Sequence, residues 1–214
     1  SLAYWRLGEI GGTRAVDASG NGNHGTYQTG YVFYLDGPNR DNLRIGGEQP
    51  RAVQFVGGRM KAQFDPGADY AVELFFWNGL PNDNRPVTGY LFSLGPDGDT
   101  SCPGDHLGIA GTAAASDVAG RLFVFNGNEK DETIAGGPVI EPKTWNHVRL
   151  VRHGQEVAAY LNGHDKPILA GTLSVTRPES CKDVFVGGRC DNFANLEGRI
   201  AEVAIYGDAS NVLQ

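Results

Sequence analysis

The chain has 214 residues, 40% of them hydrophobic, with 31 glycines and a formal net charge of −7. That length and apolar share suffice to bury one all-β core, and glycine at about twice its usual frequency favours many turns between short strands over long helices. The acidic balance argues against a nucleic-acid partner, which clustered Lys and Arg would serve, and no apolar run is long enough for membrane insertion.

Residues 3–7 read as a first strand, followed by a structured loop over 8–24 that is dense in Gly, Asp, Ser and Asn. Strand character resumes at 25–28. Residues 30–47 contain a strand-like YVFYLD interrupted by PNRDN, which suggests an insertion packed on the domain. Residues 53–55 and 60–64 look like paired strands separated by Gly57-Gly58. Residues 69–78 form the strongest single strand, with Val72, Leu74 and Phe76 on one face and Glu73, Phe75 and Trp77 on the other.

Further strands fall at 87–94, 106–110 and 121–125, and 95–105 and 111–120 are loops by composition. The charged run 128–133 reads as a solvated turn. Residues 144–163 form a hairpin in which Val148 and Leu150 share one face, Gly154 supplies the turn, and Val157, Ala159 and Leu161 line one face of the return strand. Strands at 183–187 and 199–206 follow. A short helix is expected at 208–213, with Ser210 or Asn211 as its N-cap. These elements fit two antiparallel sheets stacked face to face, about a dozen strands in all.

Three blocks carry a family resemblance: WNHVRLVRHGQEVAAYLNG at 145–163, YWRLGEIGGTRAVDASGNGNHG at 4–25, and VGGRCDNFANLEGRIAEVAIY at 186–206. In that order they resemble the hairpin, opening loop and closing strands of the laminin G-like, concanavalin A-like jelly-roll superfamily. The resemblance implies an all-β, two-sheet antiparallel jelly-roll β-sandwich forming a single domain over 1–214. It also places Trp5 and Trp145 beneath a sheet as core anchors. The fold hosts unrelated activities, so it does not fix the function.

Relatives of this fold that cleave β-glucans alternate two or three carboxylates along one strand. Here Glu73 stands alone on its strand and Glu202 on the closing one; Asp97/Asp99 and Asp131/Glu132 fall in predicted loops. G-x-S-x-G and HExxH are also missing, so the sequence reads as a non-enzyme. His147 reads as a structural histidine, and the remaining four histidines show no cluster.

For metal, the loop at 17–23 is rich in hard oxygen ligands of the kind calcium prefers. The resemblance implies a structural Ca2+ held by Asp17 and Asn21, although Ala201 stands where the family's closing strand commonly carries an Asp. Asx turns made by Asp17 and Asn21 are the competing reading.

A glycan site would use an aromatic face and planar polar groups. The expected constellation is Glu73, Trp77 and Tyr90, with Arg121 or Arg149 as a donor for acidic sugars and Asn82 and Asp83 nearby. Packing of Phe75 and Trp77 under the 95–120 segment is the alternative. The three cysteines leave an odd count; an extended 183–187 strand separates Cys181 from Cys190, which makes Cys102 the partner for one of them, with three thiols as the other possibility.

The sequence thus predicts a carbohydrate-binding module of a larger extracytoplasmic protein. Its partners would be a polysaccharide and the parent's other domains, with no nucleic acid and no membrane insertion. Ends at Ser1 and Gln214 with no signal peptide suit such an excised module. A protein-interaction module is the second expectation, and a glycanase or lyase the third.

Overall fold

The alternation of apolar and polar residues resolves into two antiparallel sheets of eight strands each, in a computed structural model that describes residues 1–127, 132–175 and 177–208. In chain order the first strands are β1 Ala3–Trp5, β2 Arg14–Ala15, β3 Gly25–Gln28, β4 Tyr31–Asp36, β5 Arg51–Val56, β6 Arg59–Gln63, β7 Tyr70–Asn78 and β8 Val87–Leu94. They continue with β9 Asp105–Ala110, β10 Leu122–Phe125, β11 Thr133–Gly136, β12 Trp145–His153, β13 Glu156–Leu161, β14 Leu169–Thr172, β15 Asp183–Val186 and β16 Glu197–Tyr206. A 3-10 turn at Asp41–Leu43 is the one helical element among the described residues, and no helix is long and apolar enough to cross a membrane.

The first sheet runs β14-β13-β12-β7-β16-β5-β4, with β1 beside the second half of β16; the second runs β11-β10-β9-β8-β15-β6-β3-β2. Their inner faces supply one core. Val72, Leu74 and Phe76 of β7, Leu150 of β12 and Ile200 of β16 meet Leu107, Ile109, Val124 and Val184 of the second sheet. Each such side chain contributes roughly 1.5–3 kcal/mol on burial. The hairpin at 144–163 forms as the sequence predicts, with Leu150 opposite Ala159 and Gly154 at a φ of 54°. It covers its apolar face by joining β7 in the sheet and packing on the other.

A polar network ties the sheets at one end. Arg152 of β12, 2% exposed, sits 3.2 Å from the Asp105 carboxylate of β9 and donates to the carbonyls of Gln155, Leu173 and Ser174. Tyr70 Oη donates to the same carboxylate at 2.8 Å. Burial pushes the Asp105 carboxyl up, while Arg152 and the Tyr70 hydroxyl oppose that push.

Several expectations need correction. Strands β5 and β6 are not paired with each other: β5 lies between β4 and β16, and β6 between β3 and β15. The Gly57-Gly58 link crosses from one sheet to the other, beside the 28–30 crossing that joins β3 to β4. A Cβ on Gly58 would lie 2.5 Å from the carbonyl oxygens of Gln28 and Thr29, so glycine there permits the two crossings to touch. Trp145 is not a core anchor. It shares the outward, half-buried face of β12 with His147 and Arg149, whereas Trp5 is fully buried. Strands β2, β11 and β14, four residues or fewer, had no readable alternation. Residues 128–131 of the predicted charged turn and 209–214 of the predicted terminal helix lie outside the described residues.

Candidate functional site

The outer face of the first sheet carries a ladder of cross-strand pairs. Trp77 of β7 stands opposite Trp145 of β12 and Arg199 of β16, Phe75 opposite His147, and Glu73 opposite Arg149. The Arg199 guanidinium lies 4.6 Å from the Trp77 ring centre, and the Phe75 and His147 rings are 4.6 Å apart. Glu73 sits 3.6 Å from Arg149 Nε and 3.8 Å from His147 Nε2. From the 37–50 segment, Arg40 reaches over Phe75 at 5.4 Å.

Three of the sequence-predicted site residues, Glu73, Trp77 and Arg149, therefore share one face. The other two do not join them. Tyr90 lies on β8 in the second sheet, between β9 and β15, because the chain after β7 crosses the sandwich. Its ring is 2% exposed, 5.6 Å from Phe123, and its cluster is packed by Ala114 and Val118 of the 111–120 connection. Its hydroxyl accepts from Arg189 at 3.1 Å. Arg121 stands just before β10 of that sheet and donates to the carbonyls of Asp117 and Gly137. The single groove expected from all five residues is not formed, and the long connection covers Tyr90 rather than Phe75 or Trp77. Asn82, expected nearby, spends its amide on the Ile140 carbonyl at 2.9 Å.

A cleft that sequence reasoning missed lies toward the other edge of the same sheet, with a volume of about 360 Å³. Its floor comes from an irregularity in β16. The pairing of β16 with β7 shifts register between Ala201 and Ala204, and Glu202 adopts a φ of 53°. That bulge turns the Glu202 carboxylate, 5% exposed, onto the Tyr4 hydroxyl and to 2.8 Å from Arg6. Burial raises the Glu202 carboxyl above the ordinary value, against the pull of Tyr4 and Arg6. Arg6 also donates to the Leu43 carbonyl at 2.7 Å, tying down the 3-10 segment.

The wall is built by a second irregularity, in β4, between Val32 and Leu35. Tyr34 there has a φ of 63° and is 49% exposed as a residue, with the Arg51 guanidinium 4.4 Å from the ring centre. Arg51 is fixed by Asp36 at 2.7 Å. Val16, Ile45, Glu48 and Gln49 complete the rim. Glu9, the other acid near the floor, accepts from the Tyr27 hydroxyl at 2.5 Å and from the Val16 N–H at 2.9 Å. The cleft thus offers an exposed ring, hydrogen-bonding groups at its mouth, and acids already committed to the protein's own donors. The sequence signal for it was YVFYLD, whose exposed positions include an aromatic.

The 17–23 loop does not fit a resident calcium ion. Asp17 Oδ1 accepts N–H groups from Tyr4 and Ser19, each at 2.9 Å, and Oδ2 accepts the Asn23 N–H at 2.8 Å. Asn21 turns its amide nitrogen toward the carbonyls of Ser1 and Leu2. Calcium needs six or more oxygen ligands, and these groups already serve as loop pins, the Asx reading. Burial opposes ionisation of Asp17, yet the three N–H donors and Ser19 hold its carboxyl below the ordinary value.

A family model for the concanavalin A-like lectin/glucanases superfamily matches residues 62–214. No curated protein matches the chain by sequence. Among solved structures, domain 4 of a GH43 extracellular arabinanase from Geobacillus stearothermophilus, solved with arabinotriose, is similar with a TM-score of 0.67 at 16% identity, over 99% of this chain and 96% of that one. A Trypanosoma rangeli sialidase is similar over 97% of this chain and 31% of its own, at 0.62 and 14%. The botulinum neurotoxin serotype C1 binding domain is similar over 99% and 50%, at 0.59 and 10%. At these identities the likeness concerns fold.

Proposed function

The chain belongs to the concanavalin A-like lectin/glucanases superfamily, and from that premise we propose that it is a non-catalytic carbohydrate-binding module. It takes a polysaccharide segment into the cleft beside Glu202, as part of a larger extracytoplasmic protein. The observation that carries this reading is the ring of half-exposed Tyr34, backed by Arg51, at the mouth of a cleft rimmed by Glu48 and Gln49. An aromatic face stacks on sugar C–H groups, and polar side chains beside it bond the hydroxyls. Non-catalysis is supported by the engagement of both inner acids: Glu202 serves Arg6 and Tyr4, and Glu9 serves Tyr27. The arabinanase domain solved with arabinotriose makes arabinan the first ligand to try.

A second reading is favoured by the apolar rim. Val16 and Ile45 are 50% and 62% exposed beside Tyr34, a composition that suits a protein segment as well as a sugar.

The test is affinity electrophoresis and calorimetry against arabinan and a broad polysaccharide panel. The expected result is binding weakened at least tenfold by Tyr34→Ala and unchanged by Trp77→Ala, with no reducing ends released. Loss with Trp77→Ala alone would move the site to the ladder. Silence across the panel would overturn the sugar reading and leave the apolar rim to a protein ligand.

A further inference from the structure

Cys102, in the connection between β8 and β9, and Cys190, in that between β15 and β16, are far apart in sequence and meet on the outer side of the second sheet. They pack with Phe185 and Phe125 at 1% and 0% exposure. Their sulfurs and a ring nitrogen of His106 all lie within 4.8 Å of one another, and both sulfurs approach one carbonyl, that of Asp99, at 3.3 and 3.8 Å. Nothing in the sequence pattern had pointed to a cluster at His106.

Both connections are clamped without any covalent link. The Gly98 N–H donates to the Cys190 carbonyl at 2.9 Å, and the Cys190 N–H to Ser93 Oγ at 3.0 Å. Asp97 is held by Arg59 at 2.9 Å and Lys61 at 2.8 Å. A Cβ on Gly95 would sit 3.1 Å from the Cys190 sulfur, so glycine there opens the space the sulfur fills. A bond between the sulfurs therefore adds little order to the folded state, and its stabilising effect comes from the long loop it closes in the unfolded chain.

Two chemistries suit two buried sulfurs, a soft metal or a disulfide, and His106 decides between them. Its Nδ1 meets Ser93 Oγ at 2.7 Å and its Nε2 the Cys102 carbonyl at 2.8 Å. With both ring nitrogens committed, and the Asp191 carboxylate beside Cys102 held by Arg189 at 2.7 Å, the sulfurs have no uncommitted third ligand among the described residues, and metal sites need three or four. Cys181 is buried elsewhere, its N–H on the Pro178 carbonyl, and is not part of the group.

We propose that Cys102 and Cys190 form a disulfide and that Cys181 stays a thiol. The bond closes in the folding chain, before Phe125 and Phe185 cover the pair. The Cys190 thiolate attacks one sulfur of a small-molecule disulfide such as oxidised glutathione and releases one thiol. The Cys102 sulfur, giving its proton to solvent, then attacks the Cys190 sulfur of the mixed disulfide and expels the second thiol. Two protein thiols lose two protons and two electrons, and the oxidant becomes two thiols. This cross-link is independent of the sugar reading.

The experiment refolds the protein in a glutathione redox buffer, alkylates it unfolded and unreduced, and maps the peptides. The expected result is a mass two hydrogens below the reduced chain, a joined Cys102–Cys190 peptide and alkylation at Cys181 alone. The urea midpoint should rise on oxidation in wild type and in Cys181→Ser, and not in Cys190→Ser. Protein that folds during export to an oxidising compartment and is purified natively gives the same readout where refolding yields are low. Three alkylated cysteines in both preparations, a cross-link to Cys181, or one metal ion retained per chain would each overturn the proposal.

Discussion

Acidification should unload stability through His106 before any of the low-lying carboxylates titrates. The ring is fully buried on β9, edge-on to Tyr90 at 6.4 Å and beside Phe125 at 5.8 Å. Burial lowers its pKa from 6.5 to about 4, with Arg189 adding to the effect and the Cys102 carbonyl and Asp191 resisting it. In the neutral ring Nε2–H donates to the Cys102 carbonyl, and Nδ1 accepts the Ser93 hydroxyl. Because the folded value is depressed, the contribution is fully present above pH 6.5. It is lost as pH falls toward 4, since the unfolded chain takes up a proton that the folded one refuses. The interval at about 1.4 kcal/mol per pH unit gives a total of roughly 3 kcal/mol, most of which falls between pH 7 and 4.5.

Urea unfolding followed by the fluorescence of the three tryptophans measures this. With a slope of about 2 kcal/mol per molar urea, the wild-type midpoint should drop by about 1 M across that range relative to His106→Gln. The comparison with the variant matters because burial raises the Asp105 and Glu202 carboxyls, and such groups add stability as pH falls. Both proteins carry them, so they cancel. Parallel midpoint curves for wild type and variant would refute the reasoning, because they would mean that His106 takes up its proton equally in both states.

Three further outcomes follow from single contacts. Asp17→Ala removes the acceptor of three backbone N–H groups and should cost about 3 kcal/mol, with the same loss in calcium and in chelator; a calcium-dependent melting temperature in wild type would contradict the loop-pin reading. Arg152→Met strands the Asp105 carboxylate and three carbonyls, so chemical denaturation should show a loss of about 3–5 kcal/mol, partly relieved by adding Asp105→Asn. Gly127→Ala should prevent soluble expression, since its Cβ would lie 1.6 Å from the Cys102 carbonyl oxygen at a φ of 64°; a folded variant with wild-type circular dichroism would disprove that contact.

Much of the fold was legible because period-2 alternation is a local signal. Val72, Leu74 and Phe76 had to face inward together, and Val148 and Leu150 had to share a face, whatever lay beyond them. Where alternation was short or absent, at β2, β11 and β14, nothing local distinguished strand from loop. Trp145 shows the opposite failure. Its strand was read correctly, but its size and its place in a family pattern suggested burial, while its parity with His147 and Arg149 put it outside. Parity was the better guide.

The site was less legible for a reason alternation cannot repair. Period 2 assigns a residue to one of two faces of its own strand and is silent on which sheet the strand joins. Glu73 and Trp77 were placed on the right face of β7, and Tyr90 was then added as a neighbour because β8 follows β7 in the chain. The chain instead crosses the sandwich between them, and the three residues end on opposite sides. The cleft depends on still less local facts. It exists because β16 slips register at Glu202 and β4 at Tyr34, and each slip is stabilised from elsewhere: Glu202 by Arg6 and Tyr4, Tyr34 by Arg51 from β5. Restoring regular pairing would return Glu202 to an ordinary alternating position and leave Arg6 without its carboxylate, so bulge and ion pair hold one another in place.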